Sequence, residues 1–326
     1  MNMNVRRKAA LLPVARLFVI LVIAGSAVSC RSLPPVTPAE RPGPAASPEE
    51  LLPQWEPFAG NVTSALSFFE GKVREPRLEL WALRVDLEAP GLRIVVSGPD
   101  PVKGEFREGY ISGTTVSGFV RRYDCLAGIN ANPFSLISER TGEDRAIDGV
   151  AVAGGVVVSR PDTAFDALVF YEDQAGGVVR AAIVNQEEII SLEGIQDAVG
   201  GFWIVLQDGE ITGRLRAPKT APSRHPRSAA GLSADGRYLY LLVVDGRRFG
   251  SVGATEVELA ELLRRLGASD GINFDGGGST SLALRFSGGK VRPVNTPIHN
   301  HIRGWERKVA VCLGIGIGTG TENNAW

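Results

Sequence analysis

The feature that most constrains the fold is a succession of short apolar runs, each rich in β-branched residues and each closed by Gly, Asp-Gly or Asn. They read LELWALRVDL (residues 78–87), LRIVVSG (92–98), CLAGIN (125–130), GVAVAGGVVVS (149–159), FDALVFY (165–171), GVVRAAIV (177–184), GFWIVLQDG (201–209) and GINF (271–274). Runs this short, bounded this way, predict strands rather than helices. The first two are expected to pair through the Pro90-Gly91 turn, and SAAGLSADGRYLYLLVVDG (228–246) reads as a hairpin about Asp235-Gly236. Two segments have helical signals: Thr115 to Tyr123, and TEVELAELLRRLG. In the second, Thr255 and Glu258 make a capping-box pair, Val257, Leu259, Leu262, Leu263 and Leu266 form one apolar stripe, and Gly267 supplies the stop. The expectation is a mixed α+β fold, a strand-rich twisted sheet with a few packed helices.

The chain carries 326 residues with 44% hydrophobic content, enough for one large domain or two modest ones. Its formal net charge of −1 offers no basic surplus for nucleic acid, which is therefore excluded as an expected partner. Arg6, Arg7 and Lys8 precede the apolar run LFVILVIAGSAV, so residues 1–30 read as an export signal. Ala27-Val28-Ser29-Cys30 resembles a bacterial lipobox, with Cys30 lipidated; a plain cleaved signal or an uncleaved anchor are the alternatives. Residues 31–55, rich in Pro, Ala and Glu, read as a tether, and residues 56–326 as a single folded domain with its core at 75–316. The expected location is exported and lipid-anchored to the bacterial cell envelope, periplasmic or surface-facing. Cys125 and Cys312 lie in apolar surroundings, where a disulfide and two buried thiols explain the pattern equally.

The densest chemical signal is DGINFDGGGSTS (270–281). It lacks the Lys of a P-loop, the G-x-S-x-G of a nucleophile elbow and the G-x-G-x-x-G of a dinucleotide fingerprint. Three consecutive glycines, Gly276 to Gly278, let backbone come close to a ligand, and Asp275 can accept from hydroxyls or act as a base; a tight structural turn explains the same residues. Four more segments carry polar groups beside strands: His225-Pro226-Arg227, Asp245 followed by Gly246-Arg247-Arg248, Asn130 and Asn132 before Pro133, and Glu306-Arg307. His299 and His301 form a His-x-His pair with no third metal ligand nearby, which is more consistent with an exposed loop than a metal site.

Taken in order, these segments resemble the phosphodiester glycosidase family. The resemblance rests on Asn130 to Phe134, His225 to Ala229, Val244 to Arg247, Glu258 to Ala260, Asp275 to Ser279, and Glu306 to Ala310, and spans roughly residues 75–316. Departures are Ser228 where Thr is frequent and Asn132-Pro133 where Gly and a bulky residue are usual. The resemblance implies hydrolysis of a sugar-1-phosphodiester at the anomeric carbon, acting on cell-envelope or extracellular glycans in a bacterial, exopolysaccharide-associated branch. Because a phosphate monoester leaves readily, neutralising its charge matters more than a strong acid. Asp245 and Asp275 are then the candidates for activating water or stabilising the transition state, with His225 and Glu306 as proton carriers. Arg227, Arg247 and Arg307 are the candidate phosphate clamp. Asn130, Asn132, Ser228, Gly276, Gly277, Gly278, Ser279 and Thr280 complete the expected substrate contacts. Ca²⁺ is the one cofactor the Asp-rich loops suggest; a sugar-phosphate or glycan substrate and, through lipid, the membrane are the expected partners. The competing expectations are a non-catalytic glycan-binding surface lipoprotein of exopolysaccharide biosynthesis, and a phosphodiesterase that cuts P–O instead of C–O.

Overall fold

The alternation visible in YLYLLVV is resolved into two buried faces. In the strand Tyr238–Val244, Leu239, Leu241 and Val243 point into one apolar cluster while Tyr240, Leu242 and Val244 point into another. A strand hydrophobic on both faces belongs in the middle of a sheet covered on both sides. The computed structural model describes residues 53–57, 64–99, 106–172, 178–189, 191–216 and 221–318. The export signal, Cys30 and nearly all of the Pro-rich segment lie outside these residues.

The described chain is strand-rich α+β, and three large sheets stand where sequence suggested one. An eight-stranded sheet runs in the order Glu56–Pro57, Leu66–Val73, Leu78–Asp86, Tyr238–Val244, Arg227–Leu232, Asp270–Asn273, Trp203–Gln207, Glu210–Ile211. A five-stranded sheet is built from Val291–Pro293, Leu282–Arg285, Ala127–Asn130, Cys312–Ile317 and Leu92–Val96. A second one contains Val156–Ser159, Ala151–Ala153, Ile195–Gly201, Asp166–Glu172 and Val179–Asn185. The largest apolar cluster lies between the eight-stranded sheet and the two five-stranded ones, joining Leu83, Val85, Leu241 and Ile272 to Ile129, Leu168, Val199 and Leu313.

Two helices cover outer faces and a third, α2 (Gly213–Arg216), is a single turn. Helix α1 (Val116–Arg122) starts at Thr115, whose side chain accepts from the Gly118 N–H, and buries Phe119 and Val120 with Cys125, Ala283 and Cys312. Helix α3 (Glu256–Leu266) carries the complete capping box at Thr255 and Glu258 and ends on Gly267 at φ 110°. Its apolar stripe of Leu259, Leu262, Leu263 and Leu266 covers Leu80, Tyr240 and Leu242 of the eight-stranded sheet, each fully buried leucine contributing about 2 kcal/mol. Both helices therefore follow the sequence signals, as does the hairpin at Asp235-Gly236, where Gly236 has φ 72°.

One expected pairing is overturned. Leu78–Asp86 and Leu92–Val96 belong to different sheets. Both edges of the first are already taken by Leu66–Val73 and Tyr238–Val244, so the chain crosses at Pro90-Gly91 and Leu92–Val96 pairs with Cys312–Ile317 at the far end of the sequence. The GFWIVLQDG run also divides: Gly201 ends one strand and Trp203 starts another in a different sheet. Cys125 and Cys312 are free, buried thiols, and burial pushes the Cys125 thiol up to about 12.

Candidate active site at the sheet-crossing loop

The run from Asp275 to Ser281 leaves the eight-stranded sheet after Asn273 and enters the five-stranded sheet at Leu282. Consecutive residues dock on opposite sides: the Phe274 N–H donates to Ser228 O at 2.9 Å, and the Asp275 N–H donates to Ala131 O at 2.9 Å. Arg227 and Val244 face each other at this same end of the first sheet, and Asn130 and Cys312 face each other at the matching end of the second. Segments scattered over the sequence therefore meet here because strand register puts their ends together.

The three glycines are required by the protein's own atoms. A Cβ on Gly276 would lie 2.7 Å from the Pro226 carbonyl oxygen; Gly277 has φ 60° and sits under the Arg247 guanidinium; a Cβ on Gly278 would lie 2.6 Å from Arg307 Nη2. The Gly277 N–H also donates to Pro226 O at 2.8 Å. The loop is thus clamped between the His-Pro-Arg segment and two arginines.

Asp275 is closely surrounded yet still reached by solvent. Burial pushes its carboxyl up to about 6, against hydrogen bonds from the Ser279 hydroxyl and the Gly276 N–H and the charge of Arg307. Arg307 donates from Nη1 to Ser279 Oγ (3.1 Å) and from Nε to His299 Nδ1 (3.0 Å). His299, 1% exposed, meets Glu139 Oε1 through Nε2 at 2.6 Å. That hydrogen bond is the main reason the Glu139 carboxyl is held below its usual range. Arg247 is exposed, has a left-handed φ of 59°, and reaches over Gly277 toward Arg307. Left-handed backbone is costly for a residue with a Cβ and marks a position fixed by its surroundings. His225 is half-buried and bridges Ala254 through its backbone. Burial, then Arg227 and Arg247, push its imidazole down, so it is neutral at pH 7. Asp148 also approaches: the Asp148 N–H donates to Pro133 O, and its charge contributes to the rise of the Asp275 carboxyl.

The remaining expected site residues are held inside the scaffold. Asn130 donates to Asp275 O (2.6 Å) and accepts from Ser228 Oγ (2.7 Å) and the Ser281 N–H (3.2 Å). Asn132 donates to Asp148 O and Val150 O and accepts from the Gly200 N–H. Their amides and the Ser228 hydroxyl are thereby used within the protein rather than presented to a sugar. Arg227, expected in the clamp, is buried with Nε on Ala254 O, Nη1 on Glu256 and Nη2 on Ser223 O. Glu306 accepts from the Ser117 N–H and Oγ and from Ser281 Oγ, tying α1 to the loop. Asp245, 1% exposed, accepts from Arg248 Nε and Nη2, Asn295 Nδ2 and the Thr296 N–H. Burial pushes its carboxyl up, while these four converging donors hold it as an acceptor. Asn295 passes the restraint on, donating to Thr280 O and accepting from the Leu282 N–H. Thr280 itself is buried.

Sequence reasoning overlooked Glu139 and Asp148, gave Asn295 no role beyond a polar loop, and treated His299 only as half of a loop pair. Nothing local marks Glu139, which sits 160 residues from His299. His301 is exposed, whereas His299 is buried.

A family model described as phosphodiester glycosidase matches residues 123–316. Among curated proteins, the SPbeta prophage-derived uncharacterized protein YomE of Bacillus subtilis (strain 168) is 28% identical over 220 residues, 66% of this chain and 31% of that protein. The chain thus spans about a third of that relative's length. Among solved structures, the catalytic domain of zebrafish N-acetylglucosamine-1-phosphodiester alpha-N-acetylglucosaminidase, auto-inhibited by its pro-peptide, superposes with TM-score 0.55 at 19% identity, covering 82% of this chain and 88% of that one. A hypothetical protein from Synechocystis gives TM-score 0.55 at 15% identity, covering 79% and 63%. At these identities the structural likenesses establish the fold.

Proposed function

Because this chain belongs to the phosphodiester glycosidase family, we propose that it hydrolyses a sugar-1-phosphodiester at the anomeric carbon, with Asp275 as base or nucleophile and Arg247 and Arg307 as the phosphate clamp. The observation that carries this reading is a solvent-reached carboxylate with its pKa raised to about 6, under the charge of Arg307, on a glycine loop that the Arg247 and Arg307 guanidinium groups both pack against. Above that pH Asp275 is ionised and close to the optimum for taking a proton at neutrality. In the direct form of the reaction, water gives its oxygen to C1 and its proton to Asp275, and the C1–O bond breaks with its electron pair going to the phosphate monoester. The two arginines stabilise the negative charge that grows on that oxygen. Asn130, Asn132, Ser228, Asp245, Arg227 and Glu306 act as the scaffold that holds loop and clamp, and neutral His225 lines the site beside Arg247. The export reading of residues 1–30, with lipid on Cys30, supports an envelope or extracellular glycan as the source of the substrate.

The test is turnover of a panel of sugar-1-phosphodiesters by the full chain in oxygen-18 water, with and without Ca²⁺. Label in the sugar is the expected result; label in the phosphate would make the protein a phosphodiesterase. Saturable binding with no turnover of any diester would favour the glycan-binding reading.

A further inference from the structure

We propose that Glu139 and His299 form a positioning pair whose function is to hold Arg307 beside Asp275. The assignment follows from which atoms can donate. Arg307 Nε carries a hydrogen and never accepts, so at 3.0 Å from His299 Nδ1 the imidazole must present a lone pair there. The ring proton then belongs on Nε2, where Glu139 Oε1 receives it at 2.6 Å. Glu139 is itself oriented by Asn300 Nδ2 at 2.9 Å and by the Trp305 side chain. The carboxylate thus selects the one neutral tautomer that can accept from Arg307. Gly278 leaves the space this needs, since a Cβ there would approach both Arg307 Nη2 and, at 3.0 Å, His299 Nδ1. With Nε and Nη1 of Arg307 anchored on His299 and Ser279, Nη2 is the edge left for a ligand oxyanion.

The inference rests on the reading of Arg307 as an anion clamp, but its test does not require turnover. Long-range proton–nitrogen NMR on the labelled full chain should show His299 unprotonated at Nδ1 and protonated at Nε2 at neutral pH. Glu139→Ala removes the acceptor and should mix the tautomers, whereas Glu139→Gln keeps a carbonyl oxygen for Nε2–H and should preserve the wild-type state. Sulfate, at neutral pH, serves as the anion probe. Its affinity should fall roughly tenfold in Glu139→Ala, the equivalent of one charge-assisted hydrogen bond, and recover in Glu139→Gln. Glu139 is exposed, so its replacement leaves the fold in place. A proton on Nδ1 in the wild-type protein, or sulfate affinity unmoved by Glu139→Ala, would overturn the proposal. If tautomer and sulfate behave as stated while no diester is turned over, the proposed reaction fails and the positioning pair stands.

Discussion

Replacing Asp275 by Asn should abolish turnover and at the same time stabilise the fold. The carboxyl is pushed from the ordinary value of 3.8 up to about 6, mainly by burial. An acid whose folded pKa is raised makes the folded state bind its proton more tightly than the unfolded state does. Stability is therefore undiminished by this group below pH 4, falls as pH rises from about 4 to about 6, and stays lowered above that window. A shift of about two units corresponds to about 3 kcal/mol, and the solvent access that the side chain retains brings the expected gain nearer to 2 kcal/mol. For a domain of this size the variant should melt about 4–8 °C above the wild type at pH 8. The assay is paired thermal unfolding of wild type and Asp275→Asn from pH 4 to 8. The difference should open across that interval and close at its acid end. Equal stability at every pH, or a variant less stable at pH 8, would refute the argument that desolvation outweighs Arg307 and Ser279 at this site.

Other substitutions separate site from scaffold. Arg247→Gly relieves the left-handed backbone at φ 59° and should raise unfolding stability by up to about 1 kcal/mol, while removing a clamp arm lowers kcat by roughly a hundredfold; thermal melts and steady-state kinetics read the two together. Gly276→Ala forces a Cβ against the Pro226 carbonyl and should cost about 1–3 kcal/mol in denaturant unfolding. Asp245→Ala leaves the buried donors of Arg248, Asn295 and Thr296 without their acceptor and should cost about 3 kcal/mol. An unchanged melting temperature with lost kcat would instead put Asp245 in the reacting machinery.

How far sequence reaches is seen best by comparing particular elements. Helix α3 and the hairpin about Asp235-Gly236 were legible because their determinants are local: the Thr255–Glu258 box, the leucine stripe, and a glycine able to take positive φ at the turn. The family segments were legible for the same reason, as short strings of unusual residues. Their roles were not. Arg227 and Arg307 are both arginines beside strand ends, yet one is enclosed by Glu256, Ala254 and Ser223 and the other lies open to Asp275. Asn130 and Asn132 have the donors and acceptors of sugar-readers, and only packing shows those groups turned to backbone. The partner of His299 lies 160 residues away, and Leu92–Val96 finds its neighbour at the other end of the chain. Sequence by itself determined helices α1 and α3, the Asp235-Gly236 hairpin and the glycine loop, because those choices depend on neighbours a few bonds away. Tertiary structure alone decided which side chains are consumed in holding that loop and which remain free to meet a substrate, because burial and hydrogen-bond partnership are settled by segments that meet only when the sheets assemble.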